Sequence, residues 1–297
     1  MRSRQLKRKF KIYATKRKPN KKFRVSLPHI YKLAAVALLL FVGFFIFNRG
    51  QPIHKDPATI AAFQMPYRAI GLLENYAQVH GVSFPALMAL FNVENNFFPH
   101  TGAVYDLSQI GPLYLDHFDQ IKNQYRSRQL RPLIQLYDSL FADMEVFPIP
   151  TGWYEDAPGV MFGNSWGVEH NFQGRAGHFG TAIIDQQNRP GRVPVVSMTM
   201  GSVTAAGYHR DLGYHVKITA PSGNMYKYAH LDSISPSLGV GQLVVPGQPL
   251  GHMGNTGGGR NAPSFPVHLH VAIQPSVRFG RDFWINPYPI LRHLEGM

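Results

Sequence analysis

The stretch Pro266-Val267-His268-Leu269-His270-Val271-Ala272-Ile273 carries two histidines two residues apart. Side chains alternate along a β-strand, so His268 and His270 project from one face, while Val267, Leu269 and Val271 project from the other. The apolar side reads as core. The other side then holds two imidazoles within reach of one ion or one substrate. A solvated strand face that happens to carry histidines is the plainer alternative, since short motifs also match by chance. Two further segments bear on the choice: Gly177-His178-Phe179-Gly180-Thr181-Ala182-Ile183 and Tyr228-Ala229-His230-Leu231.

The elements that must position these histidines are short β-type runs. They are predicted at Val193–Met198, Val203–Ala206, Tyr214–Thr219, Met225–Ala229, Gln242–Val245 and Val267–Ile273, separated by turn residues such as Pro221-Ser222-Gly223-Asn224. No strand–helix alternation and no glycine-rich phosphate loop after a strand occurs, so nucleotide chemistry has no support. The expected fold class is α+β. An N-terminal transmembrane helix and a small helical region precede a C-terminal antiparallel all-β domain, a sandwich or open barrel. Pro148, Pro150, Gly152, Pro158 and Gly159 mark the boundary, placing a helical accessory region at 50–146 and the β-rich domain at 147–297. Within the helical part, Ile70, Leu72, Leu73 and Tyr76 recur at helix spacing. Ser83 reads as an N-cap with Pro85 in the first turn, and residues 130–144 carry one broad apolar face.

The net charge of +13 belongs to the first 32 residues, which hold 13 Lys or Arg and no acid. From residue 33 onward, 17 basic residues balance 17 acidic ones. The folded part therefore has no basic excess with which to track phosphates, and no nucleic-acid partner is expected. Leu33 to Phe47 follow without a polar side chain. The run is short for a bilayer, which takes about 20 apolar residues, but Ile30 and Tyr31 extend it and Lys32 and Arg49 can snorkel outward. No small-residue cleavage site follows Phe47, as a removed signal peptide would need. The expectation is a basic cytoplasmic tail (1–32), a single-pass anchor (33–49) and an extracytoplasmic C-terminal part. With no cysteine, neither a disulfide framework nor a thiolate metal site is available.

Taken in order, the three histidine segments, with Val245-Pro246-Gly247-Gln248-Pro249-Leu250-Gly251 and Gly254-Asn255-Thr256-Gly257 between the last two, resemble the lysostaphin-type (LytM-like) zinc endopeptidases of bacterial cell walls. The resemblance spans roughly residues 174–290. It implies a Zn2+ cofactor, peptidoglycan as partner, and cleavage of its peptide cross-links. It also implies His178 and His270 as metal ligands, with His230 and His268 acting on the water and the developing oxyanion. That division suits a catalytic zinc, which takes three protein ligands and one open position. One position departs from the family pattern: Ala182 stands where the third ligand, an Asp, belongs. Asp185 is the nearest acid. It lies three residues on, so a regular strand turns it to the other side, and only a bulge would bring it in. His230 or His268 could also enter the ligand set at the expense of its catalytic role.

Two readings of the β domain therefore stand, a working zinc endopeptidase and a degenerate relative that binds cell wall or a partner protein with the same groove. A third possibility belongs to the helical region. Asn92-Val93-Glu94-Asn95-Asn96-Phe97, followed by Asp106-Leu107-Ser108-Gln109-Ile110-Gly111, loosely resembles the surroundings of the acid of lytic transglycosylases, with Glu94 in that role. The simpler reading is an exposed helix-end carboxylate. His170 is the one other histidine worth checking as a ligand. His209, His215 and His252 read as surface or packing residues. Tyr214, Trp166 and Tyr154 could line a groove, although aromatic residues in a β domain are usually core.

Overall fold

The structure is a computed structural model that describes residues 36–39, 56–95, 122–123, 125, 127–150, 152, 159–168, 177–258, 266–279 and 283–296. Residues 49–297 form one compact unit, and residues 1–48 another. Of the expected anchor only 36–39 are described, and they are helical. No helix among the described residues is long and apolar enough to cross a membrane.

Among the described residues, the helices between the expected anchor and the sheet include α1 (Pro57–Ala62), α2 (Tyr67–His80), α3 (Phe84–Asn95) and α4 (Ser127–Asp143). The Ser83 hydroxyl accepts the Ala86 N–H at 3.4 Å, as an N-cap at that position requires. At the end of α2, Gly81 takes φ +65 and its N–H returns to the Ala77 carbonyl, a glycine stop. On α4, Leu130, Leu133, Leu136, Tyr137 and Leu140 are buried, the broad apolar face that the sequence predicts.

Among the described residues nine strands follow: β1 (Val160–Phe162), β2 (Thr181–Asp185), β3 (Pro194–Val196), β4 (Gly201–His209), β5 (Gly213–Thr219), β6 (Met225–Ile234), β7 (Leu243–Val244), β8 (Pro249–Met253) and β9 (His268–Gln274). A C-terminal helix, α5 (Tyr288–Glu295), was not expected from the sequence. The sheet runs β1-β2-β9-β6-β5-β4-β7, every pairing is antiparallel, and β8 branches from β6 to carry β3. The Pro221–Asn224 turn closes the β5–β6 hairpin, with Ala220 N–H donating to the Asn224 carbonyl.

One apolar core runs from Ile60 through the sheet to Leu294. Helices and strands are also tied together by polar contacts. The N–H groups of Glu145 and Val146 donate to the Met198 carbonyl, and Asn286 N–H donates to Ala61. Asp143, at the end of α4, accepts from Ser222, from Asn224 Nδ2 at 2.8 Å and from the Tyr226 hydroxyl at 3.1 Å.

Candidate active site

Strand alternation sets the site. His268, His270 and Ala272 lie on one side of β9, and Leu269, Val271 and Ile273, all fully buried, lie on the other. His178 comes from the loop entering β2. His230 lies where β6 changes partner: Ala229 pairs with His270 on β9, whereas Leu231 pairs with Met253 on β8. At that switch His230 adopts φ +63, a left-handed conformation uncommon outside glycine and characteristic of functional sites.

The four rings converge. Centroids are 4.8 Å apart for His178–His270, 4.8 Å for His230–His268 and 6.0 Å for His230–His270. His178 Nε2 lies 2.9 Å from His270 Nδ1. Backbone carbonyls orient three of the rings. His178 Nδ1 faces Ser165 O at 3.1 Å, His230 Nδ1 faces Thr256 O at 2.8 Å, and His268 Nδ1 faces Pro266 O at 2.8 Å. A carbonyl only accepts, so each Nδ1 carries the proton and each Nε2 keeps its lone pair. His178 Nε2 is then the acceptor and His270 Nδ1–H the donor. This carbonyl-fixed tautomer is the usual support behind a metal-ligating histidine.

The surrounding glycines are there for space. A Cβ on Gly180 would stand 2.6 Å from His270 Cε1 and 2.6 Å from the Val271 carbonyl, so only glycine admits the His270 ring. Gly257 packs its backbone on Gly213, where a Cβ would meet Gly213 N at 2.2 Å. That contact seats Thr256 so that its carbonyl reaches His230 and its hydroxyl accepts the Tyr214 N–H at 3.0 Å. Gly258 N–H donates to the Asp211 carbonyl, tying this segment to the β4–β5 turn.

Burial sets the electrostatics. Desolvation, with the neighbouring His268 next in weight, pushes the His230 pKa down to about 4. Desolvation, then Lys227 and the other histidines, holds His270 well below its ordinary value. Both rings are neutral near pH 7, the form in which imidazole binds a metal or accepts a proton.

Asp185 does not join them. Thr181, Ile183 and Asp185 share the buried face of β2, and no bulge intervenes: Thr181 through Ile184 pair in unbroken register with Val271 through His268. The Asp185 carboxylate is paired with Arg192 and accepts the N–H groups of Gln187 at 3.1 Å and Arg189 at 3.0 Å. Assigning it to the metal is corrected by this orientation. On the site side of β2, directly opposite His270, stands Ala182. Among the described residues no three His, Cys, Asp or Glu side chains gather closely enough to hold a metal ion as they stand.

A zinc ion with tetrahedral Zn–N bonds of ~2 Å separates two ligand nitrogens by roughly 3.3 Å, close to the observed His178–His270 approach. The donor chemistry of these two nitrogens therefore fits zinc, while Ala182, opposite His270, offers only a methyl group. His170 and Tyr154 lie outside the described residues, as do the Glu94 side chain and 106–111, which carry the transglycosylase reading.

Two aromatic pairs flank the histidines. Trp166 meets Phe179 at 5.4 Å beside His178, and Tyr208 meets Tyr214 at 5.3 Å above the hairpin turn whose Leu212 carbonyl holds His230 N–H. Phe179, Tyr208 and Tyr214 are exposed, so Tyr214 stands at a groove rim and not in the core. Thr256 and Ser165 were missed by sequence reasoning because they act through backbone carbonyls, which leave no residue-type signal.

An antiparallel sheet with four convergent histidines on one side defines a class, the β-sheet peptidase scaffold. The chain belongs to peptidase family M23, whose model matches residues 177–280, through a domain homologous to the LytM and lysostaphin-type peptidases. It is 31% identical over 206 residues to the L-Ala–D-Glu endopeptidase of Bacillus subtilis (strain 168), covering 65% of this chain. The chain spans 60% of that relative's length. It also matches the crystal structure of a protein assigned as the glycyl-glycine endopeptidase LytM of Ruminococcus gnavus ATCC 29149. The TM-score is 0.64 and the identity 30%, over 83% of this chain and 93% of the other. That coverage reaches beyond the strands into the helices.

Proposed function

We propose that this chain is a membrane-anchored zinc metallo-endopeptidase that cleaves peptide cross-links of bacterial peptidoglycan on the outer side of the membrane. One observation carries the reading: imidazoles from three separate segments converge, with His178 Nε2 and His270 Nδ1 facing each other at 2.9 Å. His178 and His270 would hold the metal, and for both nitrogens to face an ion His270 must carry its proton on Nε2 instead. Zinc, when bound, supplies Lewis acidity toward a carbonyl oxygen and acidifies water. His230, neutral and with Nδ1 held on the Thr256 carbonyl, turns Nε2 away from that contact and is placed to accept a proton. His268 Nε2 lies on the same side and can, once protonated, steady negative charge on the carbonyl oxygen. The flanking aromatic pairs offer a groove for an extended chain. The basic tail and the apolar run at 33–49 support tethering with the catalytic part outside.

Ala182 favours a second reading, in which the groove binds wall peptides without cutting them. Metal analysis of the purified chain beside cell-wall hydrolysis, for the natural sequence and for Ala182→Asp, separates the two. Stoichiometric zinc with hydrolysis by the natural chain supports the enzyme. Metal and cleavage appearing only in Ala182→Asp supports the binding module.

A further inference from the structure

The groove floor holds a charge that the histidine chemistry does not use. Lys227 on β6 faces Ala272 on β9, and two residues on Ala229 faces His270, so Lys227 lies on the same side of the sheet as the histidines. On its other flank it directly opposes Lys217 of β5. Like charges directly opposed across a sheet are destabilising. The Lys227 ammonium sits 4.4 Å over the Trp284 ring and makes no ion pair with a carboxylate among the described residues. Burial, with the neighbouring Lys217 second, pushes its pKa down to about 8, so it still carries most of its charge at neutral pH. A half-buried cation facing a second cation gains nothing for the fold that an uncharged residue would not give more cheaply.

We propose that Lys227, with Lys217 beside it, forms an anion subsite on the groove floor that holds a carboxylate of an acidic peptide substrate. The inference rests on reading the histidine cluster as the place where a peptide lies. Strand rise fixes the range: two residues of β6 cover ~6.6 Å, so the bound carboxylate belongs to a residue one or two positions from the bond over the histidines. The cation–π contact with Trp284 fixes where the ammonium sits. Peptides whose acidic residue is amidated lose this contact, so the subsite selects for the free acid.

The test is binding, measured calorimetrically on the full-length chain without requiring cleavage. The probes are N-acetyl-L-Ala–D-Glu amide, with one carboxylate, and the neutral N-acetyl-L-Ala–D-Gln amide. The natural chain is expected to favour the acid at least tenfold. Lys227→Gln is expected to abolish that preference without lowering the melting temperature, while Lys227→Arg retains it. Lys227→Met, which keeps an apolar stem over Trp284, serves as the second charge-free variant. Equal affinity for the two probes in the natural chain overturns the proposal. So does a preference that survives in Lys227→Gln or Lys227→Met, or a melting temperature that falls in both. A chain that prefers the acid but never cuts cell wall keeps the subsite and loses only the catalytic reading.

Discussion

The two sides of the β2-β9-β6-β5 sheet treat polar groups in opposite ways. On the packed side the carboxylate and the tyrosine hydroxyls have partners. Asp185 is met by Arg192 and two backbone N–H groups, Tyr226 donates to Asp143, and the Tyr228 hydroxyl accepts the Met198 N–H at 2.9 Å. On the open side stand His178, His230, His268, His270, Lys217 and Lys227, with Ala182 where a carboxylate would balance them. Groups on the packed side serve the fold, and satisfied networks are how a buried polar group is tolerated. The open side instead gathers imidazoles and two opposed lysines on one face of the sheet. The acid nearest Ala182 in sequence faces the packed side, and that single inversion separates a stability residue from a ligand.

Substitutions that break this contrast should have their largest effect on the packed side. Leu269→Ala, at a fully buried site facing Ile183, should cost about 2–5 kcal/mol in chemical denaturation, with the four histidines left in place. Asp185→Ala should cost ~3 kcal/mol, because it removes the buried carboxylate of this ion pair. It should leave metal content unchanged. A loss of metal without a loss of stability in Asp185→Ala would restore it as a ligand and erase the distinction between the faces.

The opposite signature is expected on the open side. Gly180→Ala drives a methyl group into the His270 ring and the Val271 carbonyl, so the ring must leave its place. Metal content and wall hydrolysis should fall at least tenfold, as loss of a ligand's support commonly does. The melting temperature should move by only a few degrees, because the damage sits at the groove and not in the core. Full metal loading in Gly180→Ala would show that His270 is not held where the site needs it.

Much of the site is legible in the sequence because strand alternation is a strict rule. It places His268 with His270 and predicts that Asp185 and Ala182 part company. The Ser83 cap and the Pro221–Asn224 turn follow from local chemistry alone. The turn also implies more than its own shape: with Thr219 opposite Met225, Lys217 must oppose Lys227. Other features have no local signal. Strands β1 and β8 owe their conformation to pairing with β2, β3 and β6. Helix α5 begins on Pro287 and Pro289, reads locally as a turn, and is made helical by burying Ile290, Leu291 and Leu294. The left-handed backbone of His230 arises from a change of partner strand that no single segment encodes.

The smallest expected effect is in the acid and compares two buried carboxylates of opposite sign. Burial alone would raise the Asp185 pKa, but Arg192 and two backbone N–H groups outweigh it and hold the group below the ordinary 3.8. Its stabilisation is therefore full above 3.8 and fades as pH falls through the lowered folded value. Asp143 runs the other way: burial raises its pKa despite hydrogen bonds from Ser222, Asn224 and Tyr226. The folded chain then takes up a proton between 3.8 and the raised value, and stability declines as pH rises across that window. Asp143→Asn should flatten this decline, whereas Asp185→Asn should flatten the loss below 3.8. Urea unfolding of the two variants across the acid range should give slopes that differ from the natural chain in opposite directions. Parallel slopes would mean that Asp143 is ionised inside its network, and that the network joining α4 to the β5–β6 turn holds a charge as securely as Arg192 does.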